Sequence, residues 1–107
     1  MAVAGRPTPF SIRLEPDATR PRLVLEGEID LAAVPEFFER IQDADRLGGR
    51  SIALDMSGVT LLDSSGLGVI ARLAASGLAL EIYGATGVVR RALEISGLTL
   101  SANVTVH

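Results

Sequence analysis

The stretch Ser51–Ser76, SIALDMSGVTLLDSSGLGVIARLAAS, carries two kinds of local structure in succession. Ser51-Ile-Ala-Leu-Asp-Met56 reads as a short strand and Ser57-Gly58 as a turn. Asp63-Ser64-Ser65 is a helix-starting signal, because short polar side chains accept the free N–H groups of a first helical turn. The helix it opens runs from about Ser64 to Ser76, and Gly77 stops it. Two glycines, Gly66 and Gly68, fall inside its first turns, although glycine in a helix costs about 0.8–1 kcal/mol relative to alanine. One explanation is close packing within the domain. The other is access: with little side-chain bulk at the helix start, another protein's backbone or an enzyme's active site can approach Ser64.

Working outward, the same alternation recurs. Phe10–Leu14 alternates apolar and polar residues, residues 15–21 hold two prolines in a turn, and Arg22–Ile29 resumes as a strand. The first two strands are therefore expected to form an antiparallel hairpin. Asp30 opens a helix to about Leu47, in which Val34, Phe37, Phe38, Ile41 and Ala44 follow helical spacing. Pro35 is tolerable only near its start, and Gly48-Gly49 ends it. Leu78–Tyr83 is the next strand, Val88–Ser96 a third helix with Gly97 as its C-cap, and residues 102–106 a last short strand. The expectation is one α/β domain: a mixed, mostly parallel sheet with an N-terminal antiparallel hairpin, packed with three to four α-helices. Residues 1–9, which hold Gly5, Pro7 and Pro9, read as a flexible lead-in to a domain over 10–107.

Composition narrows the chemistry. The chain has 107 residues, 48% of them hydrophobic and 4% aromatic, so Leu, Val, Ile and Ala must build the core. A formal charge of −3 gives no electrostatic footprint for nucleic acid or anionic lipid. All ten basic residues are arginine, which removes a P-loop lysine and Schiff-base chemistry. Cysteine is absent and the one histidine, His107, is read as frayed. Thiolate catalysis, a Ser-His-Asp triad and a His or Cys metal site are thereby disfavoured. No apolar run spans a bilayer and the opening residues lack a signal-peptide pattern, so a cytoplasmic, non-enzymatic domain without cofactor or metal is expected.

Two enzyme-like patterns compete for the glycines. Gly66–Ala71 fits a loose G-x-G-x-x-A dinucleotide fingerprint, but the strand that should run into the first glycine is read as ending at Met56, a turn earlier. The nucleophile elbow G-x-S-x-G fails because no glycine stands two residues before either serine. Phe37 and Phe38 read as core and rim, Arg90-Arg91 as a solvated helix face, and Tyr83 as packing.

The run Leu54–Gly68, LDMSGVTLLDSSGLG, resembles the signature of the STAS domain, specifically of bacterial anti-sigma factor antagonists. Leu25–Asp30 (LEGEID), Ala33–Glu36 (AVPE) and Val88–Leu98 (VVRRALEISGL) agree in order and spacing, so the resemblance covers nearly the whole chain after residue 9. Thr86-Gly87 departs from it, standing where many members carry a proline. The resemblance implies a transcription-regulating phosphoprotein that works by partner switching. Unphosphorylated, it binds an anti-sigma factor that is also a serine kinase, and the sigma factor is released. Phosphorylation of the first serine of Asp-Ser-Ser-Gly, here Ser64, ends that binding, and a serine phosphatase restores it. Local chemistry alone does not separate Ser64 from Ser65.

Asp30, Asp63, Ser65, Gly66, Leu67 and Gly68 are the implied partner contacts, with the two glycines keeping the docking surface flat. Asp30 reads equally as the N-cap of the first helix and as a direct contact. The implied protein is a monomer or weak dimer that engages neither nucleic acid nor membrane. Two other readings stand beside this one. One is a non-phosphorylated STAS scaffold subunit of a signalling or lipid-transport complex. The other is a nucleotide-binding protein using the helix N-terminus at Ser64.

Overall fold

In the strands, one parity of side chains is apolar and the other polar or charged, and that division decides which face of the sheet is covered. A computed structural model describes residues 10–15, 20–48 and 51–107. The expected lead-in over 1–9, most of the turn at 15–21 and Gly49 lie outside those residues. Strands β1 (Phe10–Glu15), β2 (Arg22–Ile29), β3 (Ser51–Leu62), β4 (Ala79–Tyr83) and β5 (Val104–Val106) form one sheet in the order β1-β2-β3-β4-β5. The β1–β2 pair is antiparallel, with Ile12 opposite Leu25, and the remaining pairs are parallel. This is the mixed sheet with an N-terminal hairpin that the sequence predicts.

Helices α1 (Val34–Arg46), α2 (Ser64–Ala75) and α3 (Gly87–Ile95) fill the three crossovers. All three crossovers step the same way along the sheet, so right-handed connections place every helix on one face. Leu23, Leu25 and Ile29 of β2, Ile52, Leu54 and Met56 of β3, and Leu80 and Ile82 of β4 point to that face. They share a single core with Phe37 and Ile41 of α1, Val69, Ile70 and Leu73 of α2, and Val89 and Leu93 of α3. The helix over Val88–Ser96 and its glycine stop are as expected: Gly97 adopts φ +83°, the left-handed conformation that glycine takes without a Cβ clash.

The opposite face carries Arg13, Glu15, Arg22, Glu26 and Glu81 in ion pairs: Arg13–Glu26 at 3.7 Å, Arg22–Glu15 at 3.7 Å and Arg20–Glu81 at 2.9 Å. It is a wet surface, and such exposed pairs contribute roughly 0–1 kcal/mol each.

Three expectations need correcting. Asp30 does not open the α-helix directly. Its carboxylate accepts from Ala32 N at 3.1 Å and caps a single 3-10 turn, Leu31–Ala33, after which α1 begins with Pro35 in its first turn. The second concerns Ser57-Gly58, which is not a turn. From Val24↔Asp55 to Glu26↔Gly58, and again from Gly27↔Val59 to Glu28↔Leu61, β3 advances one residue more than β2. These two bulges keep the strand paired over twelve residues while shifting its phase, so the buried positions after Met56 are Val59 and Leu62. A single period-2 template therefore loses the strand at Ser57.

The third correction is His107, which is held rather than frayed. Its N–H donates to Ile82 O at 2.9 Å, and its ring stacks on Tyr83 at 4.3 Å and 2°. Tyr83 is correspondingly more than packing, since its hydroxyl accepts from Arg20 at 2.6 Å and donates to Glu81 at 3.1 Å.

Candidate functional site

The last residue of β3, Leu62, is buried, and one extended residue later the chain turns into α2. Asp63 makes that junction. With φ −96° and ψ −173° it stands outside the helix, and its Oδ1 accepts from Ser65 N at 2.9 Å and Gly66 N at 3.2 Å. Its own N–H donates to Ile29 O at 3.4 Å, tying the start of α2 to the end of β2. Asp63 is thus the N-cap that its residue type predicts, a role worth about 1 kcal/mol.

Ser64, the first residue of α2, is exposed, whereas Ser65 is only partly so. No hydrogen bond engages the Ser64 hydroxyl among the described residues. Ser65 donates its backbone N–H to the cap. Leu67 is half-buried against the core, and its N–H closes the first helical turn on Asp63 O at 2.9 Å. Asp30 follows Ile29 directly, so the end of β2 lies against the start of α2 and brings Asp30 to this edge of the sheet.

The two glycines, read together in the sequence, separate here. A Cβ at Gly66 would sit 2.7 Å from the Ile29 carbonyl oxygen and 2.7 Å from Leu62 Cδ1. Gly66 is buried, and it is glycine because β2 passes too close for any side chain. Its expected part in a flat docking surface gives way to packing. A Cβ at Gly68 would meet nothing within 4 Å, and Gly68 is exposed. Of the two, Gly68 alone leaves the helix backbone open to close approach.

Beside Ser64 and Gly68, a groove of about 260 Å³ opens between α1 and α2, lined also by Leu31, Val34, Phe38 and Arg72. Val34 and Phe38 stand four residues apart, so both reach the face of α1 turned to α2. Their apolar spacing is legible in the sequence, but which helix they face is not.

Because β3 runs to Leu62, the strand does lead into α2, contrary to the expectation that it ends at Met56. What opposes a nucleotide phosphate is Asp63, whose carboxylate already occupies the N–H groups of Ser65 and Gly66 and adds negative charge there. Gly66 also lies within α2 rather than in a loop before it. Among the described residues, no helix is long and apolar enough to cross a membrane.

Comparison with known proteins gives a consistent picture. The profile of the family described as "Mlab, STAS domain" matches residues 12–100. No curated protein matches. Among solved structures, an anti-sigma factor antagonist from Mycobacterium paratuberculosis superposes with a TM-score of 0.78 at 19% identity, covering 90% of this chain and 85% of that one. The anti-sigma factor antagonist SpoIIAA in its unphosphorylated form gives 0.64 at 25% identity, over 91% of this chain and 88% of the other. The phosphorylated form of SpoIIAA, described as a Bacillus cell fate determinant, gives 0.62 at 24%, over 91% of each chain.

Proposed function

The chain belongs to the STAS domain family, and from that premise we propose that it is an anti-sigma factor antagonist switched by phosphorylation of Ser64. In the unphosphorylated state it binds an anti-sigma factor with serine kinase activity, and the sigma factor is set free. Phosphorylated on Ser64 it no longer binds, and a serine phosphatase returns it to the active form. Asp30, Asp63, Ser65, Leu67 and the open backbone at Gly68 form the contact surface around the acceptor, with Gly66 setting its shape from beneath.

The observation that carries this reading is Ser64 itself: an exposed hydroxyl, without a hydrogen bond among the described residues, at the first residue of α2, whose start Asp63 caps. An incoming kinase needs such a hydroxyl presented without local unfolding. The similarity to SpoIIAA, a protein known in both unphosphorylated and phosphorylated forms, supports a phosphorylation switch on this fold. With the Ser65 and Gly66 N–H groups already taken by Asp63, a phosphate on Ser64 projects outward. There it adds about −1.5 to −2 charges to the contact surface. In a docked complex that charge has to be desolvated beside Asp63, which costs several kcal/mol unless a partner cation meets it.

Incubation with the cognate kinase and Mg·ATP is expected to place one phosphate on Ser64. Tandem mass spectrometry locating it on Ser65, Thr60 or Thr86 would overturn the assignment. Ser64→Ala should keep binding the kinase, whereas Ser64→Asp should bind poorly, as read by calorimetry with the purified pair.

A further inference from the structure

The groove beside Ser64 has a chemistry of its own. One wall is apolar, made by Leu31 of the 3-10 turn and by Val34 and Phe38 of α1, and Leu31 is left 72% exposed at its mouth. The α2 wall has a notch at Gly68, where the helix backbone is bare for lack of any neighbour within 4 Å of a Cβ. The far end is closed by Arg72, whose guanidinium lies 5.8 Å from the centre of the Phe38 ring.

Among the described residues Arg72 has neither a carboxylate partner nor a hydrogen bond, whereas Arg40 and Arg46 of the neighbouring α1 both pair with Asp43. The near end is lined by Ser64 and Ser65 at the start of α2. Eight residues separate Ser64 from Arg72, so the two ends stand about 12 Å apart along α2, a little over two helical turns.

We propose that this groove receives one amphipathic segment of the protein's binding partner, an apolar side chain seated at Gly68 and a carboxylate paired with Arg72. If helical, it places the apolar residue and the carboxylate about one turn apart on one face. This rests on the reading of Ser64 as the switch only in that Ser64 lines the near end of the groove, where a phosphate adds bulk and negative charge in the segment's path. Charge complementarity selects the occupant. An uncommitted guanidinium on an aromatic ring is preorganised for a carboxylate, and the bare backbone at Gly68 admits a side chain that a β-carbon would exclude.

The test uses the full chain with p-benzoylphenylalanine in place of Leu31 and, in a second variant, in place of Ser65, cross-linked in its own cells and followed by sequencing of the captured peptide. The expected peptide holds an apolar residue with Asp or Glu within one helical turn. Arg72→Glu, an exposed change, should leave the thermal melt in place and weaken the Kd for the purified partner about tenfold or more. Exchanging the partner's carboxylate for arginine should recover most of that loss. A captured peptide without an acidic residue, no capture at position 31 while the probe at position 65 captures a protein, or an Arg72→Glu Kd within about twofold of wild type would each overturn the groove proposal. Loss of binding in Arg72→Glu together with binding that ignores Ser64 phosphorylation would instead uphold the groove and refute the switch.

Discussion

At the scale of single residues, Gly66 and Gly68 show how one residue type serves two ends two positions apart. Both give up helix propensity. Gly66 does so because the Ile29 carbonyl and Leu62 leave no room, and Gly68 faces open space. The substitutions should therefore diverge. Gly66→Ala forces β2 or Leu62 aside and should destabilise by about 1–3 kcal/mol, as overpacking does. Gly68→Ala should hold or raise stability by up to about 1 kcal/mol, yet weaken partner binding by filling the notch. Thermal melts and calorimetry on the two variants check both halves, and a sharp fall in Tm for Gly68→Ala would defeat the account of that glycine.

At the scale of the element, α2 is a helix whose start is already satisfied. Asp63 engages two of the first free N–H groups, so a phosphate on Ser64 gains less from the helix end than an uncapped helix would give. The favourable interaction with the dipole, roughly 0.3–1 kcal/mol, is opposed by the Asp63 charge. Phosphorylation should consequently shift the melting temperature little and leave the circular dichroism spectrum unchanged. A phosphoprotein that lost helix or rearranged its sheet would show the switch to be conformational rather than a matter of surface charge and bulk. The start of α2 is placed by β3, whose two bulges let it run without a break from the sheet to the cap.

At the scale of the whole molecule, one face of the sheet is dry and the other is laced with charges, and the pH response follows from the second. The hydrogen bond from His107, then that from Tyr83, and the Arg20 charge hold the Glu81 carboxyl below its ordinary value. Asp55 is lowered too, chiefly by the Ser57 backbone N–H, against the opposing effect of burial. Lowered carboxylates favour the folded state while ionised. Their contribution is complete above the unfolded values of 3.8 and 4.5 and disappears as pH falls through the lower folded values. Acid unfolding followed by circular dichroism should therefore be less steep in Glu81→Gln than in wild type below about pH 4.5. An unchanged slope would show that the Arg20–Glu81–His107 contacts are too solvent-screened to matter.

What the amino-acid sequence determined by itself are the features set within a few residues. These are the alternation of strands and helices, the hairpin, Asp63 as a cap, Ser64 as the first exposed residue of a helix, and the glycine that ends α3. Their causes, periodicity, capping and turn chemistry, act locally and can be seen in a short window. The tertiary structure alone decided the rest. The length of β3 depends on what β2 offers across two bulges, and the difference between Gly66 and Gly68 depends on whether another strand passes overhead. His107 is ordered because Tyr83 and Glu81 wait on the neighbouring strand, and the groove exists because Val34 and Phe38 face α2 rather than solvent. Each of these turns on which distant atom stands opposite, and a linear pattern of residue types carries no record of that distance.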